Sequence, residues 1–221
     1  DCIHLTTNGS LLTPTLSRDL IESGLKDLRF SVYGVDNETY KFNTKRNVDF
    51  DKIYKNIREF WELNQLYGSP VKVKTKIMNI YTDEQIKKFR EQFLNISSEV
   101  TIEGFHKWSA SDQWDIEDKN DLIKKMDTDF ICAQPFSRLT VLFNGDVTPC
   151  CVDWSHKLVV GNIKKHSLDE IWNKLANKLR LDHLSNSINE ESPCFDCDYK
   201  SKRTKYDKIY DRDGKLSEMF K

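Results

Sequence analysis

Five of the chain's six cysteines fall between positions 132 and 197 in the pattern C-x17-C-C-x42-C-x2-C, and this spacing limits the fold more than any other feature of the 221 residues. A C-x2-C pair, here Cys194 and Cys197, presents two thiolates to one metal site from a single turn. Leu139-Thr-Val-Leu-Phe143 and Asp146-Val147 flank Asn144-Gly145, the signature of a two-residue type I′ hairpin turn. Such a hairpin returns Cys150 towards the segment that holds Cys132, so sulfurs from three chain segments converge. Cys150 and Cys151 are neighbours on an expected strand, where successive side chains point to opposite faces, and only one of them can readily face a shared site. Four thiolates suit a structural zinc or a 4Fe–4S cluster alike, and spacing does not choose between them.

The first hundred residues alternate short apolar runs with helical periodicity, the signature of βα units around a parallel sheet. Cys2 to Thr7 reads as a buried strand and Asn8-Gly9 as the turn after it. Thr13-Pro14 is an N-cap followed by proline at the first helical position, opening a helix to Ser23 that Gly24 stops. Leu28 to Tyr33 is the next strand. Phe50, Ile53, Tyr54, Ile57, Phe60 and Trp61 follow the i, i+3, i+4, i+7 spacing of a long amphipathic helix. Val71 to Met78 alternates apolar residues with lysines, as an edge or half-buried strand does, and Thr82 with Gln85 forms a capping box opening a helix through Leu94. Val100 to Phe105 closes the series. Four strands with three intervening helices do not close a barrel, so the expectation is a chain that begins inside a domain and lacks front units.

Residues 106–131, with Trp108 and Trp114 among many charges, read as a connection between domains. Ser167 and Glu170 make a second capping box, with Leu168, Ile171, Trp172, Leu175 and Leu179 on one face of the following helix. From Asp198 onward charges mix without an apolar stripe, which reads as an exposed tail. The expected organisation is therefore α/β over 1–125, a small α+β module over 126–200 and a charged tail over 201–221. Lysine plus arginine (34) nearly cancel aspartate plus glutamate (35), which argues against nucleic-acid or anionic-membrane partners, and no apolar run is long enough to span a bilayer. Uneven cysteine placement in this composition argues for a cytoplasmic protein rather than a secreted disulfide scaffold.

Cys132-Ala-Gln-Pro-Phe136, Leu139 through Cys151, Val160-Gly-Asn-Ile163, Ser167-Leu-Asp-Glu-Ile-Trp172, Leu179-Arg180 and Cys194-Phe-Asp-Cys197 together resemble the SPASM/twitch extension of radical S-adenosylmethionine (radical SAM) enzymes. Ile3-His-Leu-Thr-Thr-Asn-Gly9, Phe30-Ser-Val-Tyr-Gly34 and Glu38-Thr-Tyr40 resemble successive strand ends of the radical SAM barrel. The resemblance implies a partial (β/α) barrel followed by the SPASM/twitch module. It implies one auxiliary 4Fe–4S cluster held by Cys132, Cys150, Cys194 and Cys197, since no cysteine follows Cys197 to hold a second. Ser31 should face the methionine end of S-adenosylmethionine, with the Thr7-Asn8 turn on the same rim. Tyr33 stands where many members have aspartate, so roles hung on that acid do not transfer.

The activity so implied is hydrogen abstraction by a 5′-deoxyadenosyl radical in a longer parent that holds S-adenosylmethionine and a second 4Fe–4S cluster. Its partners would be a small-molecule or peptide substrate and an electron donor such as flavodoxin or ferredoxin. The C-x3-C-x2-C loop of the family's primary cluster does not occur in these residues, so this chain alone is expected to be inactive. Without the resemblance, Ser31 reads as a tolerated small polar residue, Cys2 as a small hydrophobe, His4 as a hydrogen-bonded strand histidine, and Lys72, Lys74 and Lys76 as a solvent face. The alternative function is a binding module stapled by a structural zinc on four cysteines.

Overall fold

The computed structural model describes residues 3–104, 131–195, 197 and 208–211. The chain divides into two compact units, Asp1–Phe105 with Thr204–Lys221, and His106–Arg203. Cys2 and the expected connection over 106–131, except Ile131, lie outside the described residues.

In the first unit the order is β1 (His4–Thr7), α1 (Pro14–Glu22), β2 (Asp27–Ser31), α2 (Asn37–Thr44), α3 (Phe50–Leu66), β3 (Lys72–Met78), α4 (Asp83–Phe93) and β4 (Glu99–Glu103). The four strands are parallel neighbours in sequence order, which is the winding of a (β/α) barrel rather than of a doubly wound sheet. Local chemistry sets the helix starts. Thr13 accepts from the Leu16 N–H ahead of Pro14, and Thr82 and Gln85 close a reciprocal capping box. A third box, at Asp36 and Thr39, opens α2 and was not read from the sequence.

The helices cover one face of the sheet. Leu28 and Phe30 of β2, Val73 and Ile77 of β3, and Val100 and Ile102 of β4 pack with Ile57, Phe60, Phe89 and Phe93 in one core. Each such side chain contributes about 1.5–3 kcal/mol by leaving water. Gly34 lets α2 fold back over the end of β2, because a Cβ there would lie 2.4 Å from the Tyr40 backbone nitrogen.

The expected burial of the first strand is corrected. Ile3 is 70% exposed and Leu5 38%, because β1 lies at the end of the sheet with β2 as its sole strand neighbour among the described residues. β3, by contrast, lies inside the sheet between β2 and β4, half-buried along its lysine face.

The second unit holds α5 (Gln134–Ser137), β5 (Thr140–Val141), β6 (Asp146–Thr148), β7 (Gly161–Asn162), α6 (Leu168–Glu170) and α7 (Asn177–Leu184), with a π-helical turn at Ile171–Leu175 joining the last two. β5, β6 and β7 form an antiparallel sheet. The hairpin forms, but not with a type I′ turn. Leu142 N–H donates to the Asp146 carbonyl and Gly145 N–H to the Leu142 carbonyl, leaving three loop residues, and of the Asn144-Gly145 pair only Gly145 has positive φ (+91°). This is a type I turn closed by a glycine bulge. Asn144 stays at negative φ while its Oδ1 accepts from the Asp146 N–H. Ser167 caps α6 through the Glu170 N–H, one half of the expected box.

The charged C-terminal stretch also departs from expectation. Lys208–Asp211 form β8, which pairs antiparallel with β4, and Tyr210 packs against the core. Strand pairing is made by the backbone, so it needs no apolar stripe to announce it.

Candidate metal centre

Cys132 precedes α5, and Cys150 and Cys151 follow β6 in a turn rather than on the strand itself. Strand pleating is therefore not what distinguishes the two neighbours, yet their surroundings differ. Cys151 is exposed, and its Sγ accepts from the Arg138 guanidinium at 3.2 Å and lies 3.8 Å from Gln134 Oε1. Cys150 is half-buried. Burial is the main cause that pushes its thiol up to about 12, and the nearby Cys194, Cys151 and Cys197 sulfurs add to it. Cys194 and Cys197 are both buried.

Electrostatics thus place Cys150, Cys151, Cys194 and Cys197 in one neighbourhood, within which Cys151 differs by being exposed and engaged by Arg138. Among the described residues, however, no group of three or more His, Cys, Asp or Glu side chains stands at the spacing that holds a single metal ion. The two observations are compatible, since sulfurs felt at electrostatic range need not sit at ligand range. The donor set fits an iron–sulfur group in its chemistry. Buried thiols resist ionisation until a cation compensates them. Gln134, 1% exposed, also has an Nε2 without a hydrogen-bond partner among the described residues, a donor of the kind that tunes cluster sulfurs.

Residues the sequence reading passed over hold this frame. Asp153, 4% exposed, accepts from the Leu158 N–H (2.8 Å), the Lys157 N–H (3.1 Å) and the Thr148 hydroxyl (3.3 Å), fixing the loop after the cysteine pair. Arg180 donates from Nε to the Pro135 carbonyl at 2.8 Å and from Nη1 to the Trp172 carbonyl, and its guanidinium carbon lies 4.1 Å from the centroid of the Trp172 ring. It therefore ties α7 to α5, just after Cys132. The only sequence signal for it was its place in the Leu179-Arg180 landmark.

In the first unit, Ser31 is buried on the sheet face opposite the helices, in register with Lys76. Thr7 is in register with Phe30, on the helix-covered face, so Thr7 and Ser31 do not share a face. Thr7 Oγ accepts from the Gly9 N–H, and Asn8 Oδ1 accepts from Ser10, so both side chains make the turn itself.

Residues 132–198 match SPASM, described as an iron-sulfur cluster-binding domain. The chain carries a SPASM domain. Among solved structures, it is similar to a histidine-tagged anSMEcpe with bound AdoMet, at 15% identity and a TM-score of 0.56, over 89% of this chain and 60% of that one. It also aligns with BtrN in an open conformation, at 16% identity and a TM-score of 0.31, over 85% of this chain and 80% of that one. No curated protein matches the sequence. The expected architecture, part of a (β/α) barrel followed by a small α+β module, is the one observed, and the cofactor of a SPASM domain is an iron–sulfur cluster. No helix among the described residues is long and apolar enough to cross a membrane.

Proposed function

We propose that this chain is part of a radical SAM enzyme whose SPASM domain binds one auxiliary 4Fe–4S cluster through Cys132, Cys150, Cys194 and Cys197. The observation that carries the reading is the match to an iron-sulfur cluster-binding domain over residues 132–198, which begins on Cys132 and takes in all four cysteines. Supporting it, Cys150 lies in the electrostatic neighbourhood of Cys194 and Cys197, and of the two adjacent cysteines Cys151 is the exposed one, engaged by Arg138. The chain spans about 60% of the anSMEcpe structure's length, and that protein has AdoMet bound. S-adenosylmethionine and a second 4Fe–4S cluster are accordingly assigned to the whole enzyme.

When bound, the auxiliary cluster supplies one-electron redox chemistry, and S-adenosylmethionine with the second cluster supplies hydrogen abstraction. The residues of this chain hold and shield. Arg180 and Asp153 fix the segments next to the cysteines, and the buried Cys194 and Cys197 exclude water from their side of the site. Ser31 presents a hydroxyl near the C-terminal end of β2, where the sites of parallel barrels gather. The substrate is a small molecule or a peptide, the electron donor is of the flavodoxin or ferredoxin type, and the setting is cytoplasmic.

Anaerobic reconstitution with iron and sulfide tests the reading. The expected product is brown, with about four iron atoms per chain. A colourless protein that takes up one zinc in preference to iron would replace it with a stapled binding module.

A further inference from the structure

Parallel sheets are ordinarily covered on both faces and apolar on both. The sheet of the first unit is apolar only towards its helices. Its other face carries Asp27 and Arg29 from β2, Lys72, Lys74 and Lys76 from β3, and Glu99 and Glu103 from β4, in register across the strands. All but one of these charges are matched. Lys72 Nζ lies 2.9 Å from Glu99, Lys74 Nζ 2.8 Å from Asp27, and Lys76 Nζ pairs with Glu103. His4 Nδ1 approaches Asp27 from the other side at 3.3 Å.

Arg29 is the exception. It is exposed at the middle of β2, in register with Thr6 and Lys74, and makes no hydrogen bond or ion pair among the described residues. The carboxylate nearest along its own strand, Asp27, is already held by Lys74 and His4, so four cations on this face meet three carboxylates. A guanidinium offers a planar fork of donors and keeps its charge at every working pH. Exposed and without a carboxylate of its own among the described residues, such a fork can take an oxyanion through charge-assisted hydrogen bonds.

We infer that Arg29 anchors an oxyanion subsite that takes a carboxylate or phosphate group of the substrate, with the Ser31 hydroxyl on the same face one step towards the C-terminal end of the strand. The inference rests on the reading of this face as the substrate side of a radical SAM barrel. It does not require the auxiliary cluster. Asp27 and Glu103, each held by a lysine, keep the surrounding face near neutrality, so the unmatched charge is confined to one fork and favours a single anionic group over a polyanion.

Titration calorimetry on the full chain at low ionic strength, with inorganic phosphate and with succinate as separate probes, tests this with wild type, Arg29→Gln, Arg29→Lys and the off-face control Arg46→Gln. The expected result is saturable binding of at least one probe, weakened about tenfold or more by Arg29→Gln, as for a lost charge-assisted pair, partly kept by Arg29→Lys and unchanged by Arg46→Gln. Preference for one probe distinguishes a phosphorylated from a carboxylated substrate. Absence of saturable binding, or binding indifferent to Arg29→Gln in a variant with native circular dichroism, overturns the subsite. Displacement of the probe by S-adenosylmethionine also overturns it, because the fork would then belong to the cosubstrate's carboxylate. Iron content, measured on the same samples with and without the cluster, separates a failure of this subsite from a failure of the cluster assignment.

Discussion

Asn64 closes both hydrogen bonds of Val71: its Nδ2 donates to the Val71 carbonyl at 2.9 Å, and the Val71 N–H donates to its Oδ1 at 3.1 Å. Neither residue exceeds 1% exposure, so the amide takes the place of a backbone partner where α3 hands the chain to β3. Asn64→Ala should leave two buried backbone groups without partners and destabilise the fold by about 1–3 kcal/mol for each. A urea-denaturation midpoint equal to that of wild type would show that water replaces the amide.

Asp36 makes a pH-dependent contribution. Partial burial raises its carboxyl, but hydrogen bonds from Thr39 and the ammonium of Lys88 outweigh burial and hold it below its ordinary 3.8. A carboxyl depressed in the folded state adds stability that is present above the unfolded value and lost as pH falls through the folded one. Asp36→Ala should therefore cost about 1 kcal/mol near neutrality, the usual effect of a lost N-cap, and progressively less below about pH 3.8. Paired denaturation curves at the two pH values check it, and a constant difference would sink the linkage.

How much was legible in the sequence depends on which force built each element. α3 and α4 were readable because amphipathic period and caps, at Phe50 to Trp61 and at Thr82 with Gln85, are properties of neighbouring residues. The cysteine centre was readable as a set, because thiols at that spacing have few other uses. The turn at Asn144-Gly145 was misjudged because a side-chain bond from Asn144 to Asp146 competed with its intrinsic tolerance of positive φ. Arg180 carries no local signal because its Pro135 partner is set by the tertiary fold, whereas the Asp36 box is local and is masked by a threonine at the position where a capping box usually has glutamate or glutamine. The exposure of β1 followed from its place at the end of the sheet, which hydropathy does not encode.

β8 illustrates the same limit and supplies a test. Its strand partner is β4, and Tyr210 lies under Arg90, whose guanidinium carbon is 3.9 Å from the ring centroid. Removing residues 204–221 should bare the edge of β4 and create a template for intermolecular pairing. Light scattering on gentle warming should rise earlier for the truncated chain, and Tyr210→Ala should move part of the way. Identical scattering from all three would mean that the strand contributes no protection.

The two adjacent cysteines make the sharpest prediction. Cys151 is exposed beside Arg138, whereas Cys150 is half-buried with Cys194 and Cys197 in its neighbourhood, so their chemistry should differ although one peptide bond joins them. In the chain without a cluster, alkylation should modify Cys151 first, because it is accessible and lies beside a fixed positive charge, while burial protects Cys150. After reconstitution Cys151→Ala should retain its full complement of iron and Cys150→Ala should lose most of it. The accompanying loss of amide protection should be confined to residues 132–197, since a metal-dependent fold loosens where its ligands lie. Retention of iron by Cys150→Ala together with its loss from Cys151→Ala would reverse the ligand assignment, and the exposure of Cys151 beside Arg138 would then belong only to the cluster-free chain.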